Sequence, residues 1–337
     1  MNRLSGVWLI CKLKKVLIFS DRRNILAMPV VRGIMLSMSA LKVLLAVLFL
    51  TVRLEAVAFK DDDMVVLLGN TVIERSQHYG HVEAALTLAG EKKNVKFRNL
   101  GWSGDSVFGH ARSYFGPPKE GFRRLQADIA GLKPDVVILC YGAVAAFEGE
   151  QGLSEFIQGY ERLIDMISNA ASPREIVLVS PPPAETLTSP MPDMTEHNEH
   201  LAIYAKAIGE LAHKKQLQFA DLFKAIGTGK SGMTDNGLHF TNEGYRMITP
   251  KLIQALGMKF PSDHALKSET GEKLREVVVK KNRLFFHRWR PANETYLRLF
   301  RKHEQGQNVK ELPMFDPLIA EQEKEIESLR QSLVTKK

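Results

Sequence analysis

The fold is decided by the stretch Met64-Val65-Val66-Leu67-Leu68-Gly69-Asn70-Thr71, a short apolar run that stops at a glycine. Continuous apolar and β-branched residues, without polar alternation, predict a strand buried on both faces of a parallel sheet. The Gly-Asn-Thr ending places the Thr71 hydroxyl at the carboxyl end of this strand. Open α/β sheets bind their ligands at that edge. The stretch therefore predicts both the sheet and the location of its site.

The chain that follows alternates between strand and helix patterns. Strands are predicted at 64–68, 95–100, 135–141, 175–179 and 217–221, and helices at 80–90, 121–132, 153–170, 194–214 and 242–256. This alternation predicts an α/β domain with a five-stranded parallel sheet covered on both faces. Beyond Pro261, two charged helical stretches, 264–287 and 317–333, predict a C-terminal extension. The expected organisation is a leader at 1–58, an α/β domain at 59–262 and a helical extension at 263–337.

The leader has the pattern of a secretory signal. Val43-Leu44-Leu45-Ala46-Val47-Leu48-Phe49-Leu50 follows Lys42 and precedes Ala56-Val57-Ala58, a small-x-small cleavage pattern. Its apolar core is shorter than the ~20 residues of a spanning helix. We expect an exported protein, periplasmic or secreted, cleaved near Ala58 and with no stable membrane span after processing. An uncleaved anchor is the alternative.

Charge, cysteine content and motif spacing limit the kinds of partner and cofactor that the sequence predicts. Residues 1–58 contain nine Lys and Arg residues against Asp21 and Glu55, so this leader accounts for most of the net charge of +8. The body is nearly neutral, which argues against a polyanion partner, and no nucleic-acid module is visible. Cys140 lies in an apolar strand and is expected to be core packing. No metal-ligand spacing or phosphate-binding glycine loop appears, so no metal and no cofactor are predicted.

Four short blocks lie in the order of a known family. They are Gly69-Asn70-Thr71, Gly101-Trp102-Ser103-Gly104-Asp105, Tyr141-Gly142-Ala143-Val144 and Asn236-Gly237-Leu238-His239. Together they resemble the SGNH (GDSL-type) hydrolases over about 64–257. The resemblance implies a flavodoxin-like three-layer α/β/α sandwich and hydrolysis of esters.

The resemblance also implies a role for individual residues. Thr71 stands where the family has its serine nucleophile, and the alternative is that its hydroxyl only caps a turn. Gly101 stands where a backbone amide donates to the oxyanion. His239 is in the place of the general base, and Asn236 replaces the aspartate that orients it. Asp235, one residue further back, is the nearest carboxylate.

Other positions depart from the family or support it less directly. Val144 replaces an asparagine whose side chain donates to the oxyanion, and the loss of one such donor costs about 10²–10³ in rate. Asn70, Gly142, Asp105 and Glu74 are grouped with Gly101 as oxyanion or substrate-binding residues. Glu74 paired with His239 is an alternative acid–base site. The Gly104-Asp105-Ser106 run follows the second strand, so Ser106 is not assigned as the nucleophile.

Three functions remain open on this reasoning. The first is an esterase acting on small-molecule or carbohydrate esters, with weakened catalytic blocks. The second is a non-catalytic module that binds glycan or protein on the same fold, and the third is an assembly role through the C-terminal helices. The segment 288–294 (Arg-Trp-Arg-Pro-Ala-Asn-Glu) either lines a pocket for a sugar or carboxylate or fastens the extension to the domain. The oligomeric state is left open.

Overall fold

The structure, a computed structural model, describes residues 56–335. Its five strands are β1 (Met64–Gly69), β2 (Lys96–Asn99), β3 (Val136–Cys140), β4 (Glu175–Val179) and β5 (Gln218–Ala220). All four strand pairings are parallel, and the order is β2-β1-β3-β4-β5. This is the flavodoxin-like order, with its switch point between β1 and β3. The predicted sheet is confirmed.

Helices follow nearly every strand. The principal helices are α1 (Thr71–Tyr79), α2 (His81–Ala89), α3 (Pro118–Leu132), α4 (Leu153–Ala171), α5 (Thr195–Lys215), α6 (Leu222–Ile226) and α7 (Asn242–Ala255). The C-terminal part adds α8 (Asp263–Lys267), α9 (Glu269–Trp289), α10 (Glu294–Leu297), α11 (Lys302–Gln305) and α12 (Phe315–Val334). Within 56–335, no helix is long and apolar enough to cross a membrane.

The core shows why continuous apolar strands were needed. In β1, Val66 and Leu68 pack with α3, α4 and α5 on one face of the sheet. Val65 and Leu67 pack with α1, α2 and α7 on the other face. Side chains alternate between faces along a strand, so both sets must be apolar when helices cover both faces. The three-layer α/β/α sandwich follows directly.

The C-terminal extension is fastened to the sheet domain by a buried ion pair. Lys281 of α9 is 1% exposed, and its ammonium lies 2.7 Å from a carboxylate oxygen of Glu83 on α2. Asn282 donates to the other oxygen of Glu83 at 2.8 Å, and Lys281 also donates to the Phe97 carbonyl of β2 at 2.9 Å. Burial lowers the pKa of Lys281, and the Glu83 charge opposes that shift. The helical extension is therefore an integral layer over α2 and the β2 edge.

The leader motif lies mostly outside the described residues. The apolar core 43–50 falls there, so the signal-peptide prediction stays a prediction. Ala56–Ala58 is described and has no helix or strand. Val57 is buried in the core and donates its amide to the Leu256 carbonyl at 3.0 Å. Cleavage after Ala58 would remove this contact.

Candidate active site

Thr71 is the first residue of α1, not a loop residue. The strand β1 ends at Gly69, and Asn70 alone separates it from the helix. The amides of Ile73 and Glu74 both donate to the Asn70 carbonyl, at 3.0 Å each. The Thr71 hydroxyl makes no hydrogen bond within residues 56–335, so it does not cap the turn. A free hydroxyl at a helix N-terminus, at the carboxyl edge of a central strand, fits a nucleophile.

The loop that carries His239 is tied to this same helix. Arg75, one turn after Thr71, lies 3.4 Å from the carboxylate of Asp235. Tyr245 of α7 donates its hydroxyl to the Val72 carbonyl at 2.6 Å. These two contacts bring the loop to the N-terminal half of α1. The predicted contact between the Thr71 hydroxyl and the His239 ring stays a prediction.

Asn236 determines which nitrogen of His239 carries the proton. Its Oδ1 accepts from the amides of Leu238 at 3.1 Å and His239 at 2.8 Å. These two donors fix the amide group, so its Nδ2 faces His239 Nδ1 at 3.2 Å. Because an amide NH₂ can only donate, Nδ1 must accept. The neutral ring therefore carries its hydrogen on Nε2, and Nε2 cannot accept a proton in this tautomer.

Asp235 does not replace the missing orienting carboxylate in this geometry. Its nearest oxygen is 4.0 Å from His239 Nδ1, and its side chain is 51% exposed. That distance is too long for a hydrogen bond. The Asn236 amide, at 3.2 Å, is the group that contacts the ring.

The structure corrects the oxyanion role that was predicted for the Gly101 amide. The Gly101 amide already donates to the Asn99 side chain at 2.9 Å, and the residue is buried. A Cβ at Gly101 would lie 2.3 Å from the Glu74 amide nitrogen, so a glycine is required for packing against α1. Gly104, three residues on, is exposed with a φ of +74°, and its amide has no acceptor within 56–335. The Gly101 amide is therefore engaged within the fold, whereas the Gly104 amide is free to donate.

The structure also corrects the prediction that Asp105 is an oxyanion or substrate-binding residue. Its side chain is 0% exposed and lies 2.6 Å from the Arg112 guanidinium. Tyr141 donates its hydroxyl to the same carboxylate at 3.2 Å. Burial raises the pKa of Tyr141, and the Asp105 charge raises it further. The buried contacts of Asp105 with Arg112 and Tyr141 therefore hold the loop after β2 against the core.

Glu74 is held by the C-terminal extension and is not free to work with His239. Arg290 lies 2.5 Å from one of its oxygens, and the Ser103 amide donates to the other at 2.6 Å. The Arg290 guanidinium also lies 3.5 Å from the centre of the Trp102 ring, which is stacking distance. The 288–294 segment therefore fastens the extension to the site, and the nearer face of Trp102 is occupied.

The third block keeps its glycine but offers no donor from Val144. Gly142 has a φ of +117° and is buried beside Pro181, so it shapes the turn after β3. Val144 is exposed. The Asn70 side chain is buried, and its Nδ2 has neither an acceptor nor solvent access. Gly142 has no side chain to offer a substrate, and the buried Nδ2 of Asn70 is not accessible to one.

Sequence reasoning missed Glu185, in the loop after β4. Its buried carboxylate accepts hydrogen bonds from the segment that precedes His239. A glutamate after Pro181-Pro182-Pro183-Ala184 carries no local signal of this role. Within the described part of the chain, no group of three or more metal-ligating side chains is present.

Comparisons with known proteins agree with the block pattern. Residues 72–247 match the model of the GDSL-like Lipase/Acylhydrolase family, which is more than half of the chain and begins one residue after Thr71. The isoamyl acetate-hydrolyzing esterase of Saccharomyces cerevisiae (strain ATCC 204508 / S288c) is 31% identical over 71 residues. The aligned part is 20% of this chain and 30% of that protein, so the chain spans less than a third of this curated relative.

Solved structures with a similar fold include two bacterial hydrolases. A catalytic mutant of an acetylxylan esterase from Geobacillus stearothermophilus has a TM-score of 0.46 and 13% identity, covering 61% of this chain and 100% of that one. A lipase/acylhydrolase from Enterococcus faecalis has a TM-score of 0.42 and 21% identity, covering 59% and 99%.

Proposed function

Because the chain belongs to the GDSL-like lipase/acylhydrolase family, we propose that it cleaves carboxylic esters with Thr71 as nucleophile. One observation carries the proposal. The unbonded Thr71 hydroxyl begins α1 at the carboxyl edge of the sheet, and the His239 loop is tied to that helix through Arg75 and Asp235. A nucleophile and a base at one strand edge are the minimal requirement for acyl transfer.

The reaction would run in two balanced steps. Once His239 carries its own hydrogen on Nδ1, the Thr71 oxygen attacks the ester carbonyl and its proton passes to Nε2 of His239. The resulting oxyanion lies near the Thr71 and Val72 amides, which have no acceptor within the described residues. Collapse expels the alcohol, which takes the proton from His239. Water then hydrolyses the acyl-threonine by the same route.

Two features of the site predict a slow enzyme. His239 must first adopt the minor tautomer, with its hydrogen on Nδ1, against the donor of Asn236. Val144 supplies no hydrogen bond to the oxyanion, a loss of about 10²–10³ in rate. Losses of this kind are not additive when the groups act together. We therefore expect feeble, measurable hydrolysis.

A binding module is the second candidate, and the tautomer of His239 favours it. With its hydrogen on Nε2, the ring is a donor, which suits recognition of a carbonyl or hydroxyl oxygen. The module would hold a glycan or protein ligand without cleaving it. Absence of any acyl-enzyme would favour this candidate.

Short acyl esters are the substrate class to test first. The curated yeast relative is named for hydrolysis of an acetate ester, and the family resemblance supports acylated carbohydrate as a second class. Trp102 offers no free near face for a sugar, because Arg290 covers it. We propose a small acyl group as the recognised part of the substrate.

Export is proposed with this activity, on the pattern of the leader. Mass spectrometry of the mature N-terminus after expression in a bacterial host should find Phe59 or a close neighbour. A full-length chain confined to the cytosol would contradict export. A mature N-terminus upstream of Val57 would keep this residue in the core, where the structure places it.

The test compares Thr71→Val with Thr228→Val, an exposed threonine in the loop after α6. Both variants exchange a hydroxyl for a methyl group, and only the first touches the proposed nucleophile. Hydrolysis of p-nitrophenyl acetate and acetylated xylooligosaccharides is measured beside His239→Ala. We expect activity to vanish in Thr71→Val and His239→Ala and to persist in Thr228→Val. Equal activity in all four proteins would refute the proposal.

A further inference from the structure

We propose that Glu185 is a positioning residue for His239, holding the loop 232–239 at the distance from α1 that the reaction needs. The inference rests on the proposed function, since it assigns His239 as the base. It concerns a residue in a different loop, after β4, which the family pattern does not mark.

The Glu185 carboxylate is the anchor of this loop. It is 2% exposed and accepts hydrogen bonds from the amides of Gly232, Met233 and Thr234. The Met233 and Thr234 amides lie at 3.2 and 2.7 Å. The Thr234 hydroxyl donates to the same oxygen at 2.5 Å. Three consecutive amides converging on one carboxylate form an anion-binding nest.

The backbone of Glu185 makes a second connection to the loop. Its amide donates to the Gly237 carbonyl at 2.8 Å. Gly237 in turn donates to the Thr234 hydroxyl at 3.0 Å. A Cβ on Gly237 would lie 2.8 Å from the Glu185 carbonyl oxygen, and its φ is +88°. Glu185 therefore contacts the loop at two places, at residues 232–234 through its carboxylate and at Gly237 through its backbone amide.

The charge of Glu185 has no cationic partner within residues 56–335. A buried carboxylate without an ion pair is costly unless several donors satisfy it. Here the donors are the backbone amides of a single loop, so releasing the loop would leave the carboxylate unsatisfied. The carboxylate therefore penalises any displacement of the loop. This coupling fixes position, beyond adding stability.

The loop transmits this position to the imidazole in two short steps. Thr234 pairs with Phe240 in an isolated antiparallel bridge. The Asp235 amide donates to the His239 carbonyl at 3.1 Å, and Asn236 contacts both the backbone and the ring of His239. A shift at 232–234 therefore moves the ring. Misplacement of a catalytic group by about 1 Å can cost about 10² in rate.

The experiment uses the full chain and two variants of graded severity. Glu185→Gln keeps the shape but turns an NH₂ group toward amide donors. Thr234→Val removes the hydroxyl that joins Glu185 to Gly237. The control is Glu243→Gln, an exposed glutamate paired with Arg246 on α7. Amide hydrogen exchange, the two ring ¹⁵N signals of His239 and kcat against KM on p-nitrophenyl acetate are measured for each.

We expect Glu185→Gln to speed hydrogen exchange of the 232–234 amides at least about 10-fold. This rise corresponds to a loop opening that costs about 1.4 kcal/mol less. The ring signals of His239 should shift, because its contact with Asn236 moves with the loop. The kcat should fall about 10²-fold with KM nearly unchanged, and Thr234→Val should show the same changes at smaller size. The control should match the parent.

Unchanged ring signals in both variants would overturn the inference, whatever the activity. If the parent hydrolyses no ester, the proposed function fails, while ring signals and amide exchange still decide the role of Glu185. If Glu185→Gln does not fold, Thr234→Val alone decides it. A fall in melting temperature without any change at the ring would mean a structural role only, and would also overturn the inference.

Discussion

Replacing Asn236 by aspartate should restore the base, and the structure sets the size of the gain. Asp at 236 keeps the two hydrogen bonds that Oδ1 accepts from the Leu238 and His239 amides. Its other oxygen then stands where Nδ2 stands now, 3.2 Å from His239 Nδ1. A carboxylate only accepts, so Nδ1 must carry the hydrogen and Nε2 becomes free to take the proton of Thr71.

The gain has two parts. In the parent, the productive tautomer loses one neutral hydrogen bond, worth about 0.5–1.5 kcal/mol, and opposes two donors. In the variant, the carboxylate also gains a charge-assisted hydrogen bond to the imidazolium, worth about 1.5–3 kcal/mol. The His239 side chain is 38% exposed, so we take the lower half of each range, which sums to about 2–3 kcal/mol. That converts to a rise of about 30- to 150-fold in kcat, below the 10⁴ known for the reverse change in a serine protease.

The assay is hydrolysis of p-nitrophenyl acetate, with the tautomer of His239 read from its ring ¹⁵N shifts. A matched control exists in the same chain, because Asn242 faces His81 at 2.9 Å on the surface of α7. Asn242→Asp creates an Asp–His pair away from the site and should leave hydrolysis unchanged. Adding His239→Ala to Asn236→Asp should abolish the gain. A parent ring already protonated on Nδ1, or a variant no faster than the Asn242→Asp control, would refute the tautomer argument.

Three further outcomes are expected. Val144→Asn, added to the aspartate variant, should raise hydrolysis further, toward the 10²–10³ of one oxyanion donor; a loss of activity would mean that the side chain does not face the oxyanion. Lys281→Met should lower the free energy of unfolding by about 3–5 kcal/mol, because it leaves the Glu83 charge buried and unpaired; urea denaturation measures it, and adding Glu83→Gln should recover most of the loss. Burial raises the pKa of Glu327, but hydrogen bonds from Arg330 and two further donors outweigh it and lower that pKa to about 2. The carboxylate therefore stabilises the fold above its unfolded pKa, near 4.5, and this contribution is lost as pH falls toward 2. Between pH 5 and pH 3, the melting temperature should fall less steeply with pH in Glu327→Gln than in the parent. Equal slopes would contradict this account.

The sheet could be predicted from sequence because its signal is local. Each strand is a continuous apolar run that ends at a turn residue, and each long helix carries a periodic apolar face. Helix α1 was missed because it lacks that face. Its nine residues bury Val72, Ile73, Ser76 and Gln77, two of them polar. It also starts one residue after β1, with no loop between them.

The site was less predictable because its partners are distant in the chain. Which of two glycines in one block has a free amide depends on whether Asn99 folds back onto Gly101. The burial of Asp105 depends on Arg112 and Tyr141. Glu74 is paired with a residue of the extension, Arg290. Blocks therefore located the site, while hydrogen-bond partners across the fold decided what each residue can do.

The same long-range contacts give the extension a role in placing the nucleophile. A nine-residue helix with few buried apolar side chains is not stable alone. At the C-terminal end of α1, Arg275 of α9 donates to the Tyr79 carbonyl at 2.7 Å. In its first turn, Glu74 is paired with Arg290, which follows the end of α9. Helix α9 and the arginine that follows it thus hold both ends of the helix that begins at Thr71. Truncation before residue 263 would therefore release the nucleophile's own support, although every signature block would remain in the chain.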